Sequence, residues 1–273
     1  MTTTPQVFAE LSALENTREL DLEEARNIQG MMLPAEPLCT DEVIIAHEFQ
    51  PAAEVGGDFL DYFSLADESV GLYLGDVCGK GLPAALYAAL AVGTLRGVHK
   101  TGQLPAGVLN TLNRRLTIRG LPRRYATLQY AVFHPGSGTM HIASAGITGP
   151  LHVFPGGCSM LELPGLPPGM FAHAAYETTT LQLAPGDAMV FCTDGILEAM
   201  NASDESFGTE RLCNLCHGRQ GETANALLAR IFAAVEEFTH GCAQHDDMTA
   251  TVFRYLGPVG PGASTQFDAS SHR

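Results

Sequence analysis

One heptapeptide, GDVCGKG at residues 75–81, constrains the fold of this chain more than any other segment. It follows an apolar run at residues 70–74 that predicts a short strand. It precedes an apolar segment, residues 82–90, whose Pro83 in the first turn is typical of a buried helix. Glycines around the aspartate allow positive φ or a close approach to a ligand. The sequence therefore predicts Asp76 at a junction between a strand and a helix.

A second carboxylate, Asp58, precedes residues 59–63, where apolar and polar residues alternate as in a half-buried strand. A turn signal at residues 66–69 follows this strand. A hairpin folded there places Asp58 opposite Asp76 with Cβ atoms about 5 Å apart, whereas a slip of one residue places them on opposite faces. Because close carboxylates repel, we expect either a protonated carboxyl or a bound cation, and aspartate ligands suit Mg²⁺ or Mn²⁺.

Two further aspartate motifs follow late in the chain. TDG at residues 193–195 comes directly after a predicted strand, and HDDMT at residues 245–249 opens another. One Asp-Gly pair is an ordinary turn signal, but four aspartates at strand ends favour a shared site. The candidate residues are Asp58, Asp76, Asp194 and Asp246, with Asp247 as the less certain member of the last pair.

The order and spacing of GGD, GDVCGKG, TDG and DDMT resemble those of the metal-dependent type-2C protein phosphatases, in particular the bacterial SpoIIE/RsbU-like branch. The resemblance extends from about Leu20 to Tyr255. It implies an α+β fold, a four-layer α/β/β/α sandwich in which two antiparallel sheets are flanked by helices. The predicted elements point to the same class, because adjacent strands lie between two groups of helices.

The resemblance also implies a function, the hydrolysis of phosphoserine or phosphothreonine on a protein with two Mn²⁺ or Mg²⁺ ions as cofactors. From the residues, a two-metal hydrolase would activate a water without a covalent phosphoenzyme. Asp76 is the predicted bridging ligand, beside the carbonyl of Val77. Asp194 and Asp246 would complete one metal site and Asp58 would serve the other. Asp247 is included among the metal candidates.

Departures from the family pattern leave a second interpretation open. Cys78 stands where eukaryotic members carry a His that is regarded as a general acid, and Ile147 stands where many bacterial relatives carry His. The phosphate-binding Arg of the eukaryotic members has no counterpart near residues 51–53. The alternative is therefore a catalytically weak phosphatase-fold module that regulates a partner protein by binding it.

The cysteines support a third, weaker interpretation. CNLCH at residues 213–217 matches a c-type haem site, and Cys213 and Cys216 could instead bind zinc with the distant His240 or Cys242. A helical setting and the lack of an export signal at the N-terminus disfavour haem. We expect the seven cysteines to be reduced thiols in a cytoplasmic protein.

Charge and hydropathy exclude several classes. The formal net charge of −15 disfavours binding to nucleic acids and to anionic membranes. The longest apolar stretch, residues 82–95, is shorter than the roughly 18 residues that indicate a membrane span. One cluster is basic, and we expect either a solvated surface or a site for an acidic or phosphorylated partner. Its members are Arg114, Arg115, Arg119, Arg123 and Arg124.

We expect three segments along the chain. Residues 1–34 form an N-terminal regulatory or linker helix, residues 35–257 form the SpoIIE/type-2C-like phosphatase domain, and residues 258–273 form a disordered tail. Two apolar stripes in the helix could pack on the domain or on a second copy. They consist of Val7, Leu11 and Leu14, and of Leu22, Ala25, Ile28 and Met32.

The resemblance implies partners as well as chemistry. Relatives of this branch act in partner-switching pathways that regulate sigma factors, so the expected substrate is a phosphorylated protein such as an anti-sigma factor antagonist. An activator protein at the N-terminal helix and a homodimer are the other expected partners.

Overall fold

A computed structural model describes residues 4–118, 120–121, 123–219 and 221–258 of the chain. The predicted disordered tail, apart from Pro258, and Arg119 of the basic cluster lie outside the described residues.

The described part contains six α-helices, one short 3₁₀ helix at His99–Thr101 and eleven strands, most of them at the predicted positions. The helices are α1 Thr4–Gly30, α2 Leu82–Val98, α3 Pro105–Thr117, α4 Asp194–Leu197, α5 Gly208–Cys216 and α6 Ala224–Thr239. The strands are β1 Leu38–Cys39, β2 Val43–Gln50, β3 Phe59–Ser64, β4 Val70–Val77, β5 Ala126–His134, β6 Thr139–Ala145, β7 Leu151–Phe154, β8 Gly157–Met160, β9 Thr179–Gln182, β10 Ala188–Cys192 and β11 Met248–Tyr255. The sequence patterns missed β1, β8 and α4, which are two to four residues long.

The strands form two sheets in which every pair of neighbours is antiparallel. The first sheet has the order β1-β2-β11-β10-β7-β8, and the second has the order β3-β4-β5-β6-β9. Helices α5 and α6 pack on the first sheet, and α2 and α3 pack on the second. This arrangement confirms the predicted four-layer sandwich.

The alternation of side chains along each strand explains the layers. In β10, Val190 faces the helices α5 and α6, whereas the neighbouring Phe191 lies between the two sheets. In β4, Tyr73 faces the helices α2 and α3, whereas Leu72 lies between the sheets. Because successive side chains point to opposite faces and both faces are covered, β10 is apolar throughout and β4 is apolar up to Asp76 near its end.

Helix α1 contacts the domain near its C-terminal end, and only part of the predicted second stripe is covered there, with Leu22 and Ala25 half-buried. Ile28 is 55% exposed, and Leu11 and Leu14 are also exposed. Gln29 is buried instead, and its side-chain amide both donates to the Gly56 carbonyl, at 2.8 Å, and accepts from the Gly56 N–H, at 3.0 Å. Met32 packs against the cluster beneath α2. The apolar pattern alone could not predict this polar contact.

The expectation that all cysteines are reduced was wrong. Cys158 of β8 and Cys213 of α5 form a disulfide, with their Cα atoms 6.0 Å apart. Cys216 is fully buried against the first sheet, and burial raises its thiol pKa to about 12. Since Cys213 is already bonded and Cys216 is shielded, the pair is not arranged to bind haem or zinc.

No helix in the described ranges is long and apolar enough to cross a membrane.

Candidate active site

Four predicted aspartates lie at the same end of the sandwich. The register of the β3–β4 hairpin pairs Phe59 with Gly75, so the next opposed pair is Asp58 and Asp76, which is the first of the two registers that the sequence left open. Asp194 is the first residue of α4, two residues after the end of β10, and Asp246 lies two residues before β11. Asp194 and Asp246 lie at the ends of the neighbouring strands β10 and β11 of the first sheet, whereas Asp58 and Asp76 belong to the β3–β4 hairpin of the second sheet. The site therefore uses residues from both sheets.

Two threonines link the carboxylate of Asp58 to the other sheet. Asp58 is only 2% exposed, and its Oδ2 accepts hydrogen bonds from Thr193 Oγ1 at 2.8 Å and Thr249 Oγ1 at 2.5 Å. Thr193 Oγ1 also accepts from the Thr249 N–H at 3.1 Å. The sequence motifs TDG and DDMT contain both threonines, but nothing in their spacing indicated that they bind Asp58.

Asp76 and the Val77 carbonyl share a small space beside Gly57. A Cβ atom built on Gly57 would lie 2.9 Å from both Asp76 Oδ1 and the Val77 carbonyl oxygen. The glycine therefore keeps open a space toward which two oxygen ligands converge. Oxygen donors of this kind suit a hard cation such as Mg²⁺ or Mn²⁺.

The electrostatics of the aspartates also indicate crowding of negative charge. Burial and then the charge of Asp76 raise the pKa of Asp58 well above its ordinary value. Burial, followed by the charges of Asp194 and Asp246, raises the pKa of Asp76 to about 7. Partial burial and the charges of Asp246 and Glu198 raise the pKa of Asp194. A bound cation would offset this repulsion, and without one a proton does so.

Asp247, the less certain of the predicted metal candidates, accepts hydrogen bonds from backbone groups. Its Oδ1 accepts from the Ala52 N–H at 2.8 Å, and its Oδ2 accepts from the Gly57 N–H at 2.6 Å and, more weakly, from the Asp58 N–H at 3.4 Å. A Cβ atom on Gly56 would collide with this carboxylate. Asp247 thus holds the loop that carries Asp58.

Two basic side chains border the site. Lys80 Nζ lies 3.2 Å from Asp246 Oδ2. Arg124 Nη1 donates to the Cys78 carbonyl at 2.5 Å, and the guanidinium lies against Gly79. Of the other arginines in the basic cluster, Arg114, Arg115 and Arg123 are exposed. Arg124 therefore differs from those three in contacting the heptapeptide of the site.

The aspartates are near one another without forming a finished metal site. Within the ranges that the structure describes, no group of three or more His, Cys, Asp or Glu side chains is arranged to hold a metal ion as it stands. The chemistry of the donors and the space beside Gly57 fit a divalent cation.

Known proteins share both the sequence and the fold. Residues 66–256 match the family model described as Stage II sporulation protein E (SpoIIE). The chain is 28% identical to protein IcfG of Synechocystis sp. over 228 residues, which cover 72% of this chain and 36% of IcfG. It is 26% identical to the phosphoserine phosphatase RsbU of Bacillus subtilis over 248 residues, which cover 89% of this chain and 72% of RsbU.

Solved structures agree with the architecture described above. The SiaA-PP2C domain of Pseudomonas aeruginosa superposes with a TM-score of 0.79 at 22% identity, covering 90% of this chain and 99% of that domain. RsbX in complex with magnesium superposes with a TM-score of 0.63 at 12% identity, covering 81% of this chain and 98% of RsbX. These similarities confirm two antiparallel sheets flanked by helices as a PP2C-like fold.

Proposed function

This chain belongs to the SpoIIE family, with a PP2C phosphatase domain, and we propose that it is a metal-dependent protein phosphatase acting on phosphoserine or phosphothreonine. The observation that carries the proposal is the convergence of Asp58, Asp76, Asp194 and Asp246 at one end of the two sheets. The name of its relative RsbU, a phosphoserine phosphatase, supports the substrate class.

The residues that would hold divalent ions are the four aspartates and the Val77 carbonyl. We assign the bridging position to Asp76, because its carboxylate lies beside the Val77 carbonyl and its pKa responds to both Asp194 and Asp246. When bound, two Mn²⁺ or Mg²⁺ ions supply a water of lowered pKa and positive charge opposite the phosphoryl oxygens. The magnesium complex of the structurally similar RsbX supports this choice of metal.

The chain's own side chains position these ligands. Thr193 and Thr249 donate to Asp58 and so favour its ionised form in one orientation. Asp247 accepts from the backbone before Asp58, and we propose that it positions the loop instead of binding metal. Such supporting hydrogen bonds typically set the affinity of a metal site.

Lys80 and Arg124 are the basic residues that we expect near the phosphate ester. Lys80 belongs to the heptapeptide and pairs with Asp246, and Arg124 contacts the heptapeptide while keeping donors beyond the one used for the Cys78 carbonyl. They offer positive charge in a chain where the eukaryotic phosphate-binding Arg has no counterpart. We propose that they orient the phosphoryl group of the substrate.

The test is phosphate release from phosphoserine peptides and from p-nitrophenyl phosphate with Mn²⁺, with Mg²⁺ and with EDTA. We expect hydrolysis only with added metal, and at least a hundredfold loss in Asp76→Asn and Asp194→Asn, an order of magnitude typical of lost electrostatic catalysis. The matched control is Asp204→Asn, a change of the same kind in an exposed turn. Full hydrolysis in EDTA would contradict the proposal.

A regulatory module without catalysis is the second candidate, because no three-ligand group is already assembled in the described residues. Such a module would bind a phosphoprotein without releasing phosphate, and isothermal titration with Mn²⁺ would detect no binding that depends on Asp76. A change in the heat of Mn²⁺ binding in Asp76→Asn would favour the enzyme.

We also propose a regulatory role for the N-terminal helix, residues 1–34, attached to a phosphatase domain of residues 35–257. The exposed Leu11 and Leu14 leave an apolar surface for an activator protein or for a second copy of the chain. The substrate that we expect is a phosphorylated anti-sigma factor antagonist in a cytoplasmic partner-switching pathway, as the resemblance to this branch implies.

A further inference from the structure

A cavity of about 840 Å³ opens beside the aspartate site and shares Asp246 with it, whereas most of its other lining residues have no part in the metal chemistry proposed above. It lies between helix α6, the loop of residues 241–246 and the end of strand β2. Ligand sites typically enclose about 300–1,000 Å³, so the cavity is large enough for several side chains of a bound peptide.

The cavity combines an apolar floor with small residues that leave its space open. Phe232, Met200 and Met248 contribute the large apolar groups. On α6, Ala229 and Ala233 are four residues apart on the same face of the helix, and both are exposed. An apolar side chain of a ligand can therefore enter without displacing a side chain of the protein.

The rim of the cavity is acidic. Glu48, Glu198, Glu236 and Asp246 line it, and no Lys or Arg is among the described residues of the lining. In the described part of the chain, no ion pair joins Glu48, Glu198 or Glu236 to a basic residue. The surface therefore complements a ligand that carries both an apolar group and positive charge.

The cavity is also continuous with the aspartate site. Gly195 and Asp246 border both of them, and the backbone N–H of Glu198 on the rim donates to the carbonyl of Asp194 at 2.6 Å. A peptide whose phosphoserine lies at the aspartates would thus continue directly over the rim.

We propose that this cavity, bounded by α6 and residues 241–246, binds the segment of the protein substrate next to the phosphoserine, and that it selects an apolar residue accompanied by Lys or Arg. This inference rests on the proposed phosphatase function and adds a sequence preference to it. The apolar residue fills the space beside Ala233, and the basic residue lies near Glu236.

The experiment compares three phosphoserine peptides of equal length on the full chain. One carries Leu with two Arg beside the phosphoserine, one carries Leu with two Glu, and one carries Ser and Gly only. Each peptide is made in two versions, with these residues either before or after the phosphoserine. We expect kcat/KM for the peptide with Arg to be about tenfold above that for the peptide with Glu in one of the two versions. A tenfold ratio corresponds to about 1.4 kcal/mol, which complementary charges can supply.

Matched variants on the same helix locate the preference. Glu236→Lys should remove or reverse the preference for basic peptides, and Ala233→Leu should lower the ratio of phosphopeptide to p-nitrophenyl phosphate hydrolysis about tenfold. The controls are Glu237→Lys and Ala226→Leu, exposed positions of α6 outside the lining, which should keep the wild-type preference. Equal effects of Glu236→Lys and Glu237→Lys would assign the preference to overall charge and overturn the proposal.

Direct binding separates this proposal from the enzymatic one. Fluorescence anisotropy of the same peptides, labelled, measures the preference without turnover. Tighter binding of the basic peptide that Glu236→Lys abolishes, with no hydrolysis of any substrate, would reject the phosphatase and keep the cavity as a binding site. Equal binding of all three peptides would reject the proposed role of the cavity, whether or not the protein hydrolyses phosphate esters.

Discussion

Thr249 Oγ1 lies 2.5 Å from Asp58 Oδ2, so a hydroxyl of strand β11 in the first sheet contacts a carboxylate at the start of β3 in the second sheet. The two residues are 191 positions apart in the chain. Because Asp58 is buried and its pKa is raised, its ionised form depends on such donors. This contact joins the two sheets at the point where the candidate metal ligands converge.

Replacing the Thr249 hydroxyl should destabilise the folded protein. In Thr249→Val the shape is retained, but Asp58 loses a hydrogen bond in a buried place, which typically costs about 1–3 kcal/mol. We expect a lower free energy of unfolding in urea and a weaker response of activity to Mn²⁺. Thr251→Val is the control, because Thr251 is 1% exposed on the same strand and its Oγ1 has no partner among the described residues. If both variants lose equal stability, the Asp58 contact is not the cause.

The metal-free protein should become less stable as the pH rises from about 4 to 7. The pKa of Asp76 is raised from 3.8 to about 7 in the folded chain, so the folded state binds more protons than the unfolded state in this interval. Its contribution is complete below pH 4 and is lost by about pH 7, at most about 4 kcal/mol. Thermal unfolding in EDTA should show a smaller decline in Asp76→Asn, which cannot ionise. An unchanged pH profile in that variant would refute the assignment, and Asp204→Asn should retain the wild-type profile.

The end of helix α1 should influence the metal requirement through Gln29. Gln29→Ala removes both hydrogen bonds to Gly56, two residues before Asp58, and leaves buried backbone groups without those partners. We expect the Mn²⁺ concentration for half-maximal activity to rise several-fold, since metal affinity depends on ligand positioning. Ile28→Ser, at the exposed neighbouring position, should leave the Mn²⁺ titration unchanged. If the Mn²⁺ titration curves of both variants superimpose on that of the wild type, helix α1 does not influence the metal requirement.

The disulfide should support stability without contributing to catalysis. Thiol titration of the denatured, unreduced protein should detect five free thiols, at Cys39, Cys78, Cys192, Cys216 and Cys242. Reduction or the Cys158→Ser/Cys213→Ser double variant should lower the free energy of unfolding by about 2–4 kcal/mol, because the unfolded chain gains freedom. The rate of p-nitrophenyl phosphate hydrolysis at 25 °C should not change. Seven reactive thiols would show that the bond does not form in solution.

Local sequence patterns were sufficient for most elements of the fold. The alternation in β3, the turn signal after it and the Pro at the start of α2 depend on neighbours in the chain, so the hairpin was predictable, as were the strand ends that carry Asp194 and Asp246. The register that opposes Asp58 and Asp76 was one of two alternatives, and the structure selected it. The family motifs supplied the architecture, because their order resembles that of one fold.

Contacts between distant segments needed the tertiary structure. The donors to Asp58, the backbone groups held by Asp247 and the Cys158–Cys213 bond each join residues that are 55 or more positions apart. The burial of Gln29 in place of Ile28 depends on which face of α1 meets the loop at Gly56. No periodic pattern encodes such pairs, because they arise from how the two sheets and their helices pack. The acidic cavity beside α6 likewise forms only when these elements have packed together.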